Sequence, residues 1–405
     1  MADASHFDVA IIGAGIAGTA LAASLNGNGL AIALVEAAPL AAAELPTACS
    51  LSNFDSRVSA LTPRSRQQLQ TLGAWQAIAD YRQCAYRHMT VWDAEGTGQI
   101  DFDCAEVNAP LLGHIVENRA IVSALAGQVS AAADITLFNP ARLESCALQQ
   151  ASATQLTLEG GATLQADLLV AADGALSRVR EMTGFDTREW DYGHRAIVAT
   201  VEVECPHQDT AWQRFLPSGP LAMLPLPGDG QRHYCSIVWS LQDSLVDELL
   251  DLEDAEFCAE LQRAIEGRLG RIVASSPRFA FPLRQRHAVD YVKPGIALVG
   301  DAAHTIHPLA GQGINLGLQD VAVLAQEVLA GHERGISPGQ LELLRRYQRR
   351  RKGENLLMMA AMDGFKRLFE QQALPLRWLR NVGMRGVNQM GPLKQQLMRH
   401  AMGLG

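Results

Sequence analysis

What this chain lacks narrows its possibilities first. Its seven cysteines (49, 84, 104, 146, 205, 235 and 258) are odd in number and never form a Cys-x-x-Cys pair. That scatter suits neither a disulfide framework nor a zinc site, and it is what a reducing compartment allows. No uninterrupted apolar run approaches the roughly 20 residues that a membrane-spanning helix needs. The apolar stretch 7–25 imitates the core of an export signal, but Asp3, His6 and Asp8 stand where a basic leader would be. A cytoplasmic protein is therefore expected. Excess positive charge is missing as well: the net charge is −9, which argues against a nucleic-acid partner. What remains is 405 residues, 48% hydrophobic and 19% charged, without internal repeats. That is enough for a large core divided over about two to three domains.

The charge is unevenly spread. From Arg345 onward there are 13 Lys/Arg against three acids, so the first 344 residues carry −19 and the tail +10. Such a tail is expected either to meet an anionic surface or to present a solvated basic face. Residues 7–13 read as a strand, 15–28 as a helix and 31–36 as a second strand. The stretch 62–80 looks helical, with Pro63 in the first turn. Segments 84–104 and 190–240 alternate apolar with polar residues, and AIVATVEVE (196–204) and YCSIVWSL (234–241) read as antiparallel strands. A hairpin is expected around Gly160-Gly161. After 313 the pattern is helical, interrupted near Ser337-Pro338-Gly339 and Pro375.

Four strand ends carry chemistry. Gly13-Ala14-Gly15-Ile16-Ala17-Gly18 follows the strand FDVAII and opens a helix. Gly13 permits the tight turn, Gly15 lets backbone approach a pyrophosphate, and Gly18 lets helix pack on strand. Glu36 ends the second strand, where a carboxylate can take both hydroxyls of a ribose and disfavours a 2′-phosphate. The dinucleotide is then FAD or NAD, not NADP. Two further strands end in Asp173-Gly174 and Gly300-Asp301, and the second leads through a proline-glycine loop to a helix opening at Gly311-Gln312-Gly313. An Asp so placed can accept from a ribityl or ribose hydroxyl, and the helix start can stabilise charge on a reduced flavin.

In this order, together with RVSALT (57–62), GHIVENR (113–119), WDYGHRAIVATV (190–201) and QRFLPSGPLAMLPL (213–226), these motifs resemble the flavin-dependent aromatic hydroxylases of the para-hydroxybenzoate hydroxylase type. The resemblance covers essentially the whole chain. It is strongest to the ubiquinone-biosynthesis hydroxylases, and the ending HAMGLG is similar to the branch acting on 2-octaprenylphenol. It implies an α/β fold: a Rossmann-like FAD-binding domain (1–80, 105–182 and 284–335), an inserted antiparallel-sheet substrate domain (81–104 and 183–283) and C-terminal helices (336–405). It also implies FAD reduced by NAD(P)H, with dioxygen, acting through a flavin 4a-hydroperoxide on the ring of a prenylated phenol. The absence of a second GxGxxG means no separate nicotinamide domain is expected.

By the same resemblance Arg57 contacts the cofactor, Asp301 holds its ribityl chain and Pro308 lies beside its reactive edge. From their places at strand ends and helix starts, Asp173, Gly311, Gly313 and Asn315 are read as cofactor-binding as well, and Arg119 as touching the flavin or its pyrophosphate or else as a surface residue. A phenol ring calls for a base or a positive field, and His194, Arg214, Tyr192, His304 and His307 are the candidates, with Arg214 and His194 foremost. No metal site is expected. A water-insoluble substrate would make the basic, apolar tail a contact for the membrane surface (the inner membrane) or for a pathway protein, with a homo-oligomer left open.

Overall fold

The computed structural model describes residues 5–40, 45–147, 153–305, 313–370 and 373–404. Strands β1 (Ser5–Ile12), β2 (Ile32–Val35), β8 (Ile135–Phe138), β11 (Thr163–Ala171) and β19 (Ile296–Leu298) pair in parallel, in the order β19-β11-β1-β2-β8. The stretches Val9–Ile12, Ile32–Val35, Leu168–Ala171 and Ile296–Leu298 are almost wholly buried because helices cover the faces, so each reads as a continuous apolar run. Strands β9 (Leu143–Ala147), β10 (Thr154–Leu158) and β18 (Val292–Lys293) extend this sheet antiparallel, and β10–β11 is the hairpin expected at Gly160-Gly161. Helices α1 (Ile16–Leu25), α4 (Asn118–Ser130) and α8 (Gly313–His332) pack around it. The helix expected over 62–80 is two: α2 (Pro63–Thr71), capped by Thr62, and α3 (Trp75–Tyr81). Gly73 at φ +74° makes the break.

The second sheet has the order β20-β17-β12-β15-β14-β13-β5-β6. Its members are β5 (His88–Asp93), β6 (Gln99–Asp103), β12 (Thr187–Val203), β13 (Thr210–Leu216), β14 (Gly219–Leu226), β15 (His233–Gln242), β17 (Phe279–Ala288) and β20 (His304–Thr305), with β16 (Ile272–Ser275) beside β12. All its pairings are antiparallel except β5–β13, where two chain-distant segments meet in parallel. One face is sealed by α6 (Asp243–Asp251) and α7 (Asp254–Ala264), through Ile197, Val201, Ile237, Trp239 and Phe257. A three-stranded sheet of β3 (Val58–Leu61), β7 (Gly113–Glu117) and β4 (Cys84–Tyr86) joins the two large sheets through Ala60, Ile115, Leu226 and Tyr234. The short α5 (Arg178–Met182) follows the Asp173-Gly174 turn.

The C-terminal helices α9 (Leu341–Glu370), α10 (Leu374–Gln389) and α11 (Gly391–Ala401) change the meaning of the basic tail. Several of its cations are inside. Arg351 pairs with Asp320, Arg380 with Asp93 at 2.6 Å and Lys394 with Glu106 at 2.6 Å. Gly98 donates its N–H to Asn381, so α10 sits against the β5–β6 turn. Part of the expected free positive charge is therefore internal neutralisation of acids earlier in the chain. Some apolar residues of the same helices lie outside: Trp378 is 69% exposed, and Leu374, Leu379 and Leu397 are exposed with it, while Phe369, Met384 and Met398 are buried. Among the described residues no helix is long and apolar enough to cross a membrane.

Because Arg380 and Asp93 are buried together, Arg380→Ala is expected to destabilise the fold by about 3–5 kcal/mol. Trp378→Ser should stay within about 0.5 kcal/mol. Urea denaturation midpoints compare the two.

Candidate active site

The loop after β1 is shaped by two of its glycines and left open at the third. Gly13 has φ +101°, and a Cβ there would lie 2.5 Å from the Ala172 carbonyl oxygen; a Cβ on Gly18 would meet the Gly13 carbonyl oxygen at 1.8 Å. Gly15 has nothing within 4 Å of where its Cβ would be, so the backbone there is open to a ligand. Glu36 is pre-oriented at the end of β2: its carboxylate accepts the Ala14 N–H at 2.7 Å and the Ala38 N–H at 2.9 Å. Each oxygen retains acceptor capacity for a ribose hydroxyl.

The Asp173 and Asp301 turns are clasped together by one buried side chain. Arg180 donates to the Ala302 carbonyl at 2.8 Å and to the Ala175 carbonyl at 2.8 Å. Asp173 accepts from the Val179 N–H through one oxygen, while the other is buried with no partner. Asp301 stands on the open wall of the cleft but is hemmed in by protein. Desolvation raises its carboxyl above the ordinary value, against the pull of His304 and Arg57. Arg57 is exposed, and its guanidinium has no hydrogen bond or ion pair among the described residues. An open glycine, an orphaned carboxylate oxygen and an unpaired guanidinium fit a bound dinucleotide.

Behind Asp301 lies a buried polar network. Asp320 of α8 accepts from the Gly300 N–H at 3.1 Å, bonds the His304 ring, and accepts from Arg351 Nε at 2.8 Å and Asn355 Nδ2 at 3.1 Å. Burial pushes the Asp320 carboxyl up, but His304 and Arg351 together outweigh it and leave the carboxyl below its ordinary value. Tyr291 joins Asn355 to His287, and burial with His304, Lys352 and Arg188 nearby lowers His287 to about 4.

The chain is similar to known proteins over nearly its whole length. Residues 6–360 match the FAD binding domain family. The 3-demethoxyubiquinol 3-hydroxylase of Escherichia coli is 38% identical over 98% of each chain. The ubiquinone hydroxylase UbiL of Rhodospirillum rubrum is 38% identical over 98% of this chain and 89% of its own, and human COQ6, a mitochondrial ubiquinone biosynthesis monooxygenase, is 34% identical over 98% and 92%. The chain belongs to this family of FAD-dependent ubiquinone hydroxylases. It is an FAD-dependent aromatic monooxygenase. Solved structures agree on the fold. Pseudomonas aeruginosa PqsL in complex with 2-aminobenzoylacetate superposes at a TM-score of 0.77 with 20% identity, covering 94% of this chain and 100% of that one. The p-nitrophenol 4-monooxygenase PnpA of Pseudomonas putida superposes at 0.76 with 16% identity, covering 98% of each chain.

Within this FAD-dependent family the expected site residues fall into groups. Gly13, Gly15, Gly18, Glu36, Asp173 and Asp301 follow the C-terminal ends of the neighbouring parallel strands β1, β2, β11 and β19, Arg57 precedes β3 and acts on the Asp301 carboxyl, and Gly313 opens α8. Pro308, Gly311 and His307 lie outside the described residues, as does the Tyr192 side chain. The side-chain amide of Asn315 is held by the protein: fully buried, it accepts from the Thr62 N–H at 3.0 Å and donates to the Ala60 carbonyl at 2.8 Å, so a cofactor contact at this residue falls to its backbone. It fastens α8 to β3. Arg119 bonds through Nη2 alone, to Glu117 at 2.6 Å, to the Tyr81 hydroxyl at 3.0 Å and to the Asn53 carbonyl, and so steadies the loop before β3, while its Nε is buried without a partner among the described residues.

Arg214 is the clearest correction. Its guanidinium pairs with Glu266 at 2.6 Å and donates to the Ala264 carbonyl at 2.7 Å, beside the C-terminus of α7. That is the sealed face of the second sheet, away from the FAD elements. His194 lies at the irregular stretch of β12 opposite Gln242, where pairing with β17 shifts between Asp191 and Arg195. His304 braces Asp320 and is buried. Sequence reasoning missed the roles of Asp320, Arg351 and Asn355. Asp320 ends the quoted 300–320 segment, but nothing in the tail's composition marks Arg351 as its partner. A cluster of Cys84, His207 and Asp209 offers no free imidazole lone pair, since His207 bonds the Leu226 carbonyl and the Asp209 N–H.

The Asp320 carboxylate contributes stability above its unfolded pKa near 3.9 and loses it as pH falls through the lower folded value. Arg351→Ala removes the guanidinium that holds the carboxylate charged, so its acid unfolding, followed by circular dichroism, should begin at higher pH than in the parent protein.

Proposed function

We propose that this enzyme hydroxylates the ring of a prenylated phenol on the way to ubiquinone, using NAD(P)H and dioxygen. The observation that carries this reading is the open face of the second sheet. Val198, Ala222, Leu224 and Val238 form a half-buried apolar floor on it. One end of the floor is walled by β3, β4 and β7 through Ala60 and Tyr86, the other by α9 and α10 through Met362, Phe369 and Met384. Asn315 holds the start of α8 to β3, and Leu316 in the same turn packs on Met359 of α9. Bound FAD supplies the oxygen-activating chemistry. The chain's own contribution is to hold FAD through Glu36, Arg57, Asp173 and Asp301, to keep water from the ring, and to orient that ring on an apolar floor.

The similarity of the chain's ending to the 2-octaprenylphenol branch favours that phenol, whereas the E. coli relative is named for a demethoxyubiquinol. Accumulated prenyl-ring intermediates in a deletion strain tell the two apart. In vitro, the FAD-loaded protein should consume NAD(P)H faster with a short-tailed phenol and yield hydroxylated product. Flavin bound without any phenol-stimulated oxidation would instead make it a non-catalytic FAD-binding subunit of the pathway.

A prenyl tail has to be collected from a bilayer, and the exposed Leu374, Trp378, Leu379 and Leu397 give α10 and α11 an apolar surface for peripheral contact. Since its cations are largely paired, this contact rests on apolar insertion more than on charge. Trp378→Ser with Leu379→Ser should lower co-sedimentation with lipid vesicles and leave FAD content unchanged. Release of the parent protein by salt alone would point to electrostatic attachment instead.

A further inference from the structure

Strand β13 changes which residue matters beside Arg214. Side chains alternate between the faces of a strand. Trp212 and Leu216 pack into the cluster beneath α6 and α7, and Arg214 pairs with Glu266 on the same side. Gln213 and Phe215 therefore face the open side, and Phe215 does so visibly, with its ring stacked 3.8 Å from Phe369 of α9. Pairing places Gln213 between Val91 of β5 and Ala222 of β14, and the same row continues through Val238 and Val198 to Phe279. Every other member of the row is apolar.

Gln213 is only 7% exposed, and its amide makes no hydrogen bond to any described residue. Its neighbours in the row have no polar side chain to offer. Neither amide atom is wholly sealed, so water can meet it in the free protein, but a ring laid on the floor displaces that water and leaves a polar group that is costly to leave unpaired. The floor it shares is the one on which the substrate ring is placed above, so the missing partner is supplied by the ligand.

We propose that Gln213 is a substrate-contacting specificity residue whose amide holds an oxygen of the aromatic ring. The N–H can donate to a ring oxygen, or the amide oxygen can accept from a phenolic O–H. Being untitratable, the amide orients the ring and sets which carbon faces the flavin, but takes no proton. This rests on the proposed hydroxylation of a phenol and adds the group that recognises the phenol's oxygen.

The test uses the FAD-loaded full chain with two soluble short-tailed ligands, a phenol and the same ring lacking the oxygen. Binding is read from the perturbed flavin absorbance, and coupling from hydroxylated product per NAD(P)H consumed. Gln213→Leu should weaken phenol binding about five- to tenfold, as loss of one hydrogen bond does. It should also lower the product yield per NAD(P)H, with FAD content unchanged. For the ring without oxygen, parent and variant should bind alike. Gln213→Met, closer in shape, repeats the measurement if leucine disturbs FAD content. Equal weakening for both ligands, or none for the phenol, overturns the assignment while leaving the hydroxylase reading intact. A parent protein whose flavin responds to no phenol overturns that reading and this assignment together.

Discussion

Asp320 is a carboxylate with no access to water, and the cleft depends on keeping it charged. A buried carboxylate without counter-charge would be several kcal/mol uphill. Here His304 and Arg351 close around it, and Asn355 satisfies a remaining lone pair. Its acceptor capacity also holds the Gly300 N–H, at a residue whose φ of +57° turns the chain toward Asp301. One group thus sets the Gly300-Asp301 turn, the face α8 presents to it, and the position of α9, which supplies Arg351 and Asn355. Because α9 is a single helix of 30 residues, anchoring its first half also places Met359, Met362 and Phe369 further along.

The two large sheets divide the work. The parallel sheet ends its strands at one cleft edge, where glycines and carboxylates are in reach of a dinucleotide. Arg180 bridges two of those ends, so the Asp173 and Asp301 turns hold their positions relative to each other. The second sheet contributes no FAD motif. It offers a flat apolar face, sealed behind by α6 and α7 and walled at both ends, which suits an aromatic ring that has to be held away from water.

The C-terminal helices show how composition misleads when partners are distant in sequence. A count of cations in the tail suggests a free basic surface. Folding brings Arg351 to Asp320, Arg380 to Asp93 and Lys394 to Glu106, across separations that no local pattern reports. The apolar residues between them are then the unspent feature of the tail, with Trp378 pointing outward from a helix whose Arg380 and Met384 are buried.

The dinucleotide cleft was legible in the sequence because its requirements are local. A strand, a glycine-shaped turn and a helix start occupy consecutive residues, and Glu36, Asp173 and Asp301 each end a strand of the same sheet. The parallel core was equally legible, since strands covered on both faces are continuous apolar runs. Tertiary structure alone decided which side of a strand is the inside. In β13, Gln213 and Arg214 are adjacent, both polar and both buried, and only the packing of α7 on one face separates them. The guanidinium that looked like a ring partner is committed to Glu266, and the side chain next to it lies on the opposite face of the sheet. A period of two makes a one-residue difference a change of face, and the face is fixed by neighbours 50 or more residues away along the chain.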